Sequence, residues 1–234
     1  MKDPSIKKDR ALILKETAQT NGACLVGFAD ISRLELPITL KYPFAICFAI
    51  CHSDETVDRL PNDDLWNEMS SSLTEKAGVI YQEIQGLLES WGYRYSRIPS
   101  TTRIDELPVP GEQLPQKTVA TLSGLGWIGK SSLLITPDYG PRIRLGTLLT
   151  DMPLETATPT TQSMCEDCRA CVDVCPVRAI RGNNWTQDTS RNELLDVSWC
   201  YDHLWSAKPA TGRRQLCGLC LKVCPAGQKR RHTI

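Results

Sequence analysis

Between positions 62 and 91 the apolar residues fall at Leu65, Met69, Leu73, Ala77, Ile80, Ile84, Leu87 and Trp91. Steps of three and four put them on one face of a helix, and this spacing predicts the longest helix of the chain, opened by Pro61-Asn62 and stopped by Gly92. Residues 5–20 read as a helix with Ile6, Ile13, Leu14 and Ala18 among its buried positions and Gly22 just past its end, where a left-handed cap needs it. Two continuous apolar runs, Ala23 to Phe28 and Phe44 to Ile50, read as buried strands. Tyr93 to Ile98 has strand character, Pro108 to Pro115 that of a loop, and Gln116 to Ser123 that of a short helix. Leu133 to Thr136 and Arg142 to Thr150 are strand-like runs flanking the turn sequence Pro137-Asp138-Tyr139-Gly140. The expected class is α/β (α+β) with a mixed sheet.

This patterning stops near Thr156 to Gln162, where Thr, Pro and Ser replace it. A front domain over 1–157 and a second over 158–234 are expected. Cysteine changes at the same place: of eleven, three precede residue 160 and eight follow it. The first run, Cys165-x2-Cys168-x2-Cys171-x3-Cys175-Pro176, has the spacing that wraps three thiolates around one iron–sulfur cube and sends the fourth to a neighbouring cube. The second, Cys217-x2-Cys220-x3-Cys224-Pro225, answers it. Applying that crossover, Cys165, Cys168, Cys171 and Cys224 hold one [4Fe-4S] cluster, and Cys175, Cys217 and Cys220 hold the other. Cys200, between the runs, completes the second set, so the count closes at four plus four. Zinc also accepts four cysteines, but this spacing is poor for a zinc ribbon. Disulfides fit less well still, with an odd cysteine count and no apolar signal segment behind Met1-Lys2-Asp3-Pro4. Reduced thiols in the cytoplasm are expected.

Lys plus Arg equals Asp plus Glu at 27 each in 234 residues, so no global field favours nucleic acid or an anionic membrane. Lys229-Arg230-Arg231 reads as a solvated tail, and no apolar run is long enough to span a bilayer. Cys24 and Cys47 lie in apolar runs and read as small core side chains. Cys51 and His52 stand at a strand end, where the histidine is expected to be structural.

Gly124-Leu-Gly126-Trp127-Ile-Gly129-Lys130-Ser131 satisfies both G-x4-G-K-[ST] and G-x-G-x-x-G. Phosphate binding at such motifs needs a strand before the glycines and a helix after them. Here helix-like sequence precedes, and Pro137 leaves no room for a helix behind. The motif is a decoy for nucleotide, and close approach of backbone to a flat or bulky ligand is the expected reason for its glycines.

Lys117-Thr-Val-Ala120 through Lys130, then Tyr139-Gly140 and Arg144-Leu-Gly-Thr-Leu-Leu-Thr-Asp151, followed by the eight cysteines, resembles the epoxyqueuosine reductase family and its short relatives. Those are cobalamin-dependent iron–sulfur reductases, related in cofactor architecture to reductive dehalogenases. The resemblance implies a nitroreductase-like cobalamin-binding domain followed by a ferredoxin-like domain with two [4Fe-4S] clusters. It also implies that Gly124, Gly126, Trp127, Gly129, Lys130 and Tyr139 lie along the macrocycle. Electrons would enter from a donor of the ferredoxin or flavodoxin type and reduce the cobalt, without a lower histidine ligand.

Two departures bear on the substrate. The tRNA-modifying members carry a V-D-S-A-P segment whose aspartate is the proton donor; here the corresponding candidate is Asp105, in Ile104-Asp105-Glu106-Leu107-Pro108, several residues further from the glycines. Those members also continue into a helical-repeat domain, which is not expected here, the sequence ending ten residues after Cys224. The favoured reading is a reductase acting on a small molecule or reductively activating a corrinoid. Reduction of epoxyqueuosine in tRNA ranks below it for want of an RNA footprint. A ferredoxin-like carrier without cobalamin is the third reading.

Overall fold

The computed structural model describes residues 4–61, 63–99, 114–206 and 217–228. In chain order the elements are α1 (Pro4–Thr20), β1 (Leu25–Asp30), α2 (Pro37–Lys41), β2 (Phe44–Cys51), α3 (Asp54–Asp58), α4 (Asp63–Ser90), β3 (Tyr95–Arg97), α5 (Gln116–Leu122), β4 (Trp127–Ile128), β5 (Leu134–Ile135), β6 (Ile143–Thr150), α6 (Ala170–Asp173), α7 (Arg191–Leu194), α8 (Val197–Ser206) and α9 (Leu219–Lys222). The chain folds as two compact units that are not consecutive in sequence. One is formed by 1–50, 73–125 and 144–160, the other by 51–72, 126–143 and 161–234. The second unit therefore takes two segments from the front half in addition to the cysteine-rich tail.

In the first unit a four-stranded sheet runs in the order β1-β2-β6-β3, with β1 antiparallel to β2 from Leu25↔Ala49 to Asp30↔Phe44, and β3 antiparallel to β6. Leu73, Ala77, Ile80, Tyr81, Ile84 and Leu88 of α4 pack with Leu14 and Ala18 of α1, Ile46 and Phe48 of β2, and Leu148 of β6. Leu73, Ala77, Ile80 and Ile84 are the positions read from the three-and-four spacing, with Leu87 and Trp91 partly buried against them and Tyr81 and Leu88 added; the side chains of Leu65 and Met69 lie outside those described, and Ile13 of α1 is exposed rather than buried. Gly92, at φ 76, adopts the left-handed conformation that stops the helix. Tyr81 is buried with its polar end satisfied: its hydroxyl accepts from the Thr147 amide at 2.9 Å, while its ring meets Phe48 edge-on at 5.0 Å. Gly146 is required beside it, because a Cβ there would meet the Phe48 ring at 2.2 Å.

Leu133–Thr136 and Arg142–Thr150 do not pair with one another across the turn. β5 pairs instead with β4, Trp127↔Ile135 and Ile128↔Leu134, while β6 joins the larger sheet. The turn between them closes on itself through the Thr136↔Gly140 bridge. Among the described residues no helix is long and apolar enough to cross a membrane. Cys47 is a buried free thiol, as expected of a core side chain. Cys24 and Cys51 depart from the expectation of reduced thiols: each is disulfide-bonded, and Cys24 is half-buried at the head of β1 rather than in the core.

Candidate metal centre

All eight cysteines of the two runs and their spacer lie in the second unit as free thiols. Ahead of the first run, Gln162 bridges Thr186, and the Ser163 amide donates to the Trp185 carbonyl at 2.7 Å. Ser163 Oγ then accepts from the Cys165 amide at 3.2 Å, and a turn closes when the Cys168 amide donates to the Cys165 carbonyl at 2.9 Å. Glu166, inside that turn, has φ 46, a left-handed conformation that a side chain adopts only when its surroundings hold it. Its carbonyl is held twice, by Lys130 Nζ at 2.7 Å and Asn184 Nδ2 at 3.2 Å. Cys171 follows on α6.

Cys200 stands in α8, whose amino end is capped by Asp196. One carboxylate oxygen accepts from Ser198 Oγ at 2.7 Å and from the Trp199 amide at 3.2 Å, and the other meets Arg181 at 3.2 Å. The Ser198 hydrogen bond, then that from Trp199, holds the Asp196 carboxyl below its ordinary pKa, as an N-cap in contact with donors should. Cys220 is on α9, entered through Gly218 at φ 61, and Cys224 follows its end. Arg142, 3% exposed, fixes this second run by donating to the carbonyls of Ala226 at 2.9 Å, Lys222 at 3.1 Å and Cys224 at 3.2 Å. At the same junction Gly140, at φ 55, lets the turn approach the run, since a Cβ would lie 2.1 Å from the Ala226 carbonyl oxygen.

The charges each thiol feels identify its neighbours. Burial pushes the Cys171 thiol up to about 11, helped by Cys165, Cys224 and Cys168. Cys224 is raised first by burial and further by Cys165 and Cys168, while its hydrogen bond at Ala226 and the charge of Arg142 act in the opposite sense. Cys200 is raised by burial, then by Cys175 and Cys217. Cys220 is pushed up to about 12, chiefly by burial, with Cys200, Cys217, Cys171 and Cys175 adding to it. Cys171 and Cys224 are thus close to Cys165 and Cys168, and Cys200 and Cys220 to Cys175 and Cys217. The link between Cys220 and Cys171 shows that the two groups adjoin.

A cavity lined by Cys165, Cys168, Cys171, Cys220 and Cys224 is closed by Gly129, Lys130, Ile135, Ala170 and Pro225 among others. Its donors are sulfurs and its one lining charge is a cation, a chemistry that suits an anionic iron–sulfur cube. Among the described residues no three His, Cys, Asp or Glu side chains converge as they would around a single ion.

The residues expected along the macrocycle are placed as follows. Gly126 is buried, and a Cβ there would lie 2.0 Å from the Ile135 carbonyl oxygen, so its glycine is needed for the β4–β5 approach. Trp127, 7% exposed, donates from Nε1 to Cys165 Sγ at 3.4 Å. Gly129 packs on Ile135, with Cys165 Sγ 3.5 Å from its Cβ position. Lys130 reaches the Glu166 carbonyl. Of the six, Gly124 is exposed and Tyr139 half-buried. The reason for the glycines is in the first place the chain's approach to itself. The helix α5 before the motif and the strand β5 after it are the reverse of a phosphate loop. Asp105 lies outside the described residues. Arg142 and Asn184 act at the centre without any motif to announce them, each through backbone carbonyls distant in sequence, whereas Asp196 acts locally, on Ser198 and Trp199.

Residues 164–227 match the family described as a 4Fe-4S double cluster binding domain. The epoxyqueuosine reductase of Listeria monocytogenes is 37% identical over 154 residues, 63% of this chain and 38% of that protein. The epoxyqueuosine reductase of Synechococcus sp. is 48% identical over 73 residues, 31% of this chain and 22% of that protein. The chain thus spans well under two thirds of the length of the curated relatives it matches. Among solved structures, epoxyqueuosine reductase from Bacillus subtilis superposes with TM-score 0.60 at 19% identity, covering 94% of this chain and 66% of that one. A catabolic reductive dehalogenase superposes with TM-score 0.69 at 20% identity, covering 92% of this chain and 31% of that one. In fold and in its double-cluster segment, the chain resembles the epoxyqueuosine reductases, and it carries two [4Fe-4S] clusters in its cysteine-rich part.

Proposed function

We propose that the protein is an iron–sulfur reductase in which Cys165, Cys168, Cys171 and Cys224 hold one cluster, Cys175, Cys200, Cys217 and Cys220 hold the other, and the first unit takes part in binding cobalamin. The observation that carries this reading is the cavity lined by Cys165, Cys168, Cys171, Cys220 and Cys224, which brings thiols of both runs together within the second unit. Cobalamin is supported by the fold shared with a reductive dehalogenase for which B12-dependent dehalogenation is described. Gly124, exposed in the first unit, is the residue of this chain we assign to it. When bound, the clusters supply one-electron transfer and cobalamin a strongly reducing cobalt centre. The chain's own contribution is placement: Lys130 and Asn184 hold the first cysteine loop, Arg142 the second, and Asp196 the helix bearing Cys200.

The substrate we favour is epoxyqueuosine in tRNA, because the curated relatives are epoxyqueuosine reductases and one solved relative is described with a tRNA-Tyr epoxyqueuosine-modified stem loop. This ranks tRNA higher as a partner than the balanced charge alone suggested. Reduction of the epoxide takes two electrons and two protons and releases water, and Asp105 is our candidate for a proton donor. A small-molecule or corrinoid substrate is the second reading, favoured by equal numbers of basic and acidic residues. The test is anaerobic: reconstituted protein, cobalamin, a strong reductant and tRNA carrying epoxyqueuosine, followed by nucleoside mass spectrometry. Queuosine formation supports the tRNA reading. Corrinoid retained by the protein without queuosine formation points to the second. Failure to retain any corrinoid reduces the protein to an electron carrier.

A further inference from the structure

Lys130 is 5% exposed, yet among the described residues no carboxylate stands within 4.0 Å of its ammonium. A buried cation in that position is costly unless an anion shares its surroundings. Its hydrogen-bond partner, the Glu166 carbonyl at 2.7 Å, is neutral and is shared with Asn184 Nδ2. Lys130 lines the same cavity as Cys165, Cys168, Cys171 and Cys224. A cube carrying four thiolates is anionic and gains one further negative charge on reduction.

We infer that Lys130 is the counter-charge of the cluster held by Cys165, Cys168, Cys171 and Cys224, and that it raises the reduction potential of that cluster. This rests on the ligand assignment proposed above. A fixed positive charge in a poorly solvated cavity stabilises the more negative, reduced state more than the oxidised one, and so favours electron uptake. The lysine that imitates a phosphate-loop residue in sequence thus serves an inorganic anion instead. Its hydrogen bond to Glu166 keeps the ammonium aimed at the loop between Cys165 and Cys168, whose left-handed residue turns that carbonyl toward it. Lys130 is a positioning and tuning residue; it is not a ligand.

Three variants of the reconstituted chain separate charge from hydrogen bonding: Lys130→Gln, which keeps a donor and loses the charge; Lys130→Arg, which keeps both; and Asn184→Ala, which removes the other donor to Glu166. Iron content and an anaerobic redox titration followed by electron paramagnetic resonance are read on each. In Lys130→Gln one of the two cluster potentials moves to more negative values and the other stays, while Lys130→Arg remains close to wild type and Asn184→Ala moves that potential by less than Lys130→Gln does. Loss of one cluster's iron in Lys130→Gln that Lys130→Arg restores supports the same conclusion. Unchanged potentials in Lys130→Gln at full iron content overturn the inference and leave the ligand assignment standing. A shift in Asn184→Ala as large as that in Lys130→Gln also overturns it, because loop placement would then account for the effect. Zinc in place of iron in the wild-type chain sinks both.

Discussion

Trp127 Nε1 donates to Cys165 Sγ across 3.4 Å, joining a residue of the glycine motif to the first cysteine of the first run. The indole is buried, so this donor has little competition from water. A hydrogen bond to a cluster sulfur stabilises the reduced state and raises the potential. Trp127→Phe keeps most of the ring volume and deletes the N–H. The expected outcome is full iron content with one cluster potential shifted to more negative values in a redox titration; an unshifted potential would mean that the contact is packing alone.

Gly140 should tolerate no side chain. Its φ of 55 and the 2.1 Å approach of the Ala226 carbonyl oxygen to its Cβ position combine strain with collision. Gly140→Ala is expected to cost at least about 1–3 kcal/mol in stability, and to weaken iron retention because the displaced segment carries Cys224. Thermal unfolding and iron analysis of the variant check this. A Tm equal to wild type would show that the turn and the second run do not press on each other.

Asp196 makes stability depend on pH in a defined direction. Its carboxyl is held below the ordinary value by Ser198, Trp199 and Arg181, so its ionised form adds stability above the unfolded pKa. That contribution is lost as pH falls through the lowered folded value. Asp196→Asn keeps an acceptor for the helix end and removes the charge. The Tm difference between the two proteins is expected to be full at neutral pH and to shrink in acid. A difference that grows in acid contradicts the assignment.

Cys47 is a control thiol. It is completely buried in β2, and burial pushes it up to about 12, partly offset by the Thr147 hydroxyl at 3.7 Å. Thiolate being the reactive form, iodoacetamide at pH ~8 is expected to leave Cys47 unmodified in the folded protein and to label it after unfolding. Cys47→Ala should keep all the iron. Modification in the native state would mean that the sheet opens at β2.

The long helix could be read from the sequence because eight apolar residues keep one rhythm over nearly thirty positions, and the burial of Leu73, Ala77, Ile80 and Ile84 follows that rhythm. The false phosphate loop could also be read, since its neighbours have the wrong local preferences. The pairing of Trp127–Ile128 with Leu134–Ile135 could not, because strands of two residues carry no periodicity. Nor could the recruitment of 51–72 and 126–143 into the cysteine-rich unit, which depends on contacts between residues far apart in the chain. Arg142 shows why: its partners Lys222, Cys224 and Ala226 are carbonyls, which every residue has, so no residue type marks the site. Cys24 and Cys51 escaped for a related reason, an apolar neighbourhood in sequence being compatible with a half-buried, bonded sulfur as well as with a core thiol.

Iron and acid-labile sulfide, counted per chain in anaerobically reconstituted protein, test the central claim most directly. The two quartets of cysteines predict about eight of each, since each cube needs its own four thiolates. Zinc, or four irons and four sulfides after full loading, would contradict the account.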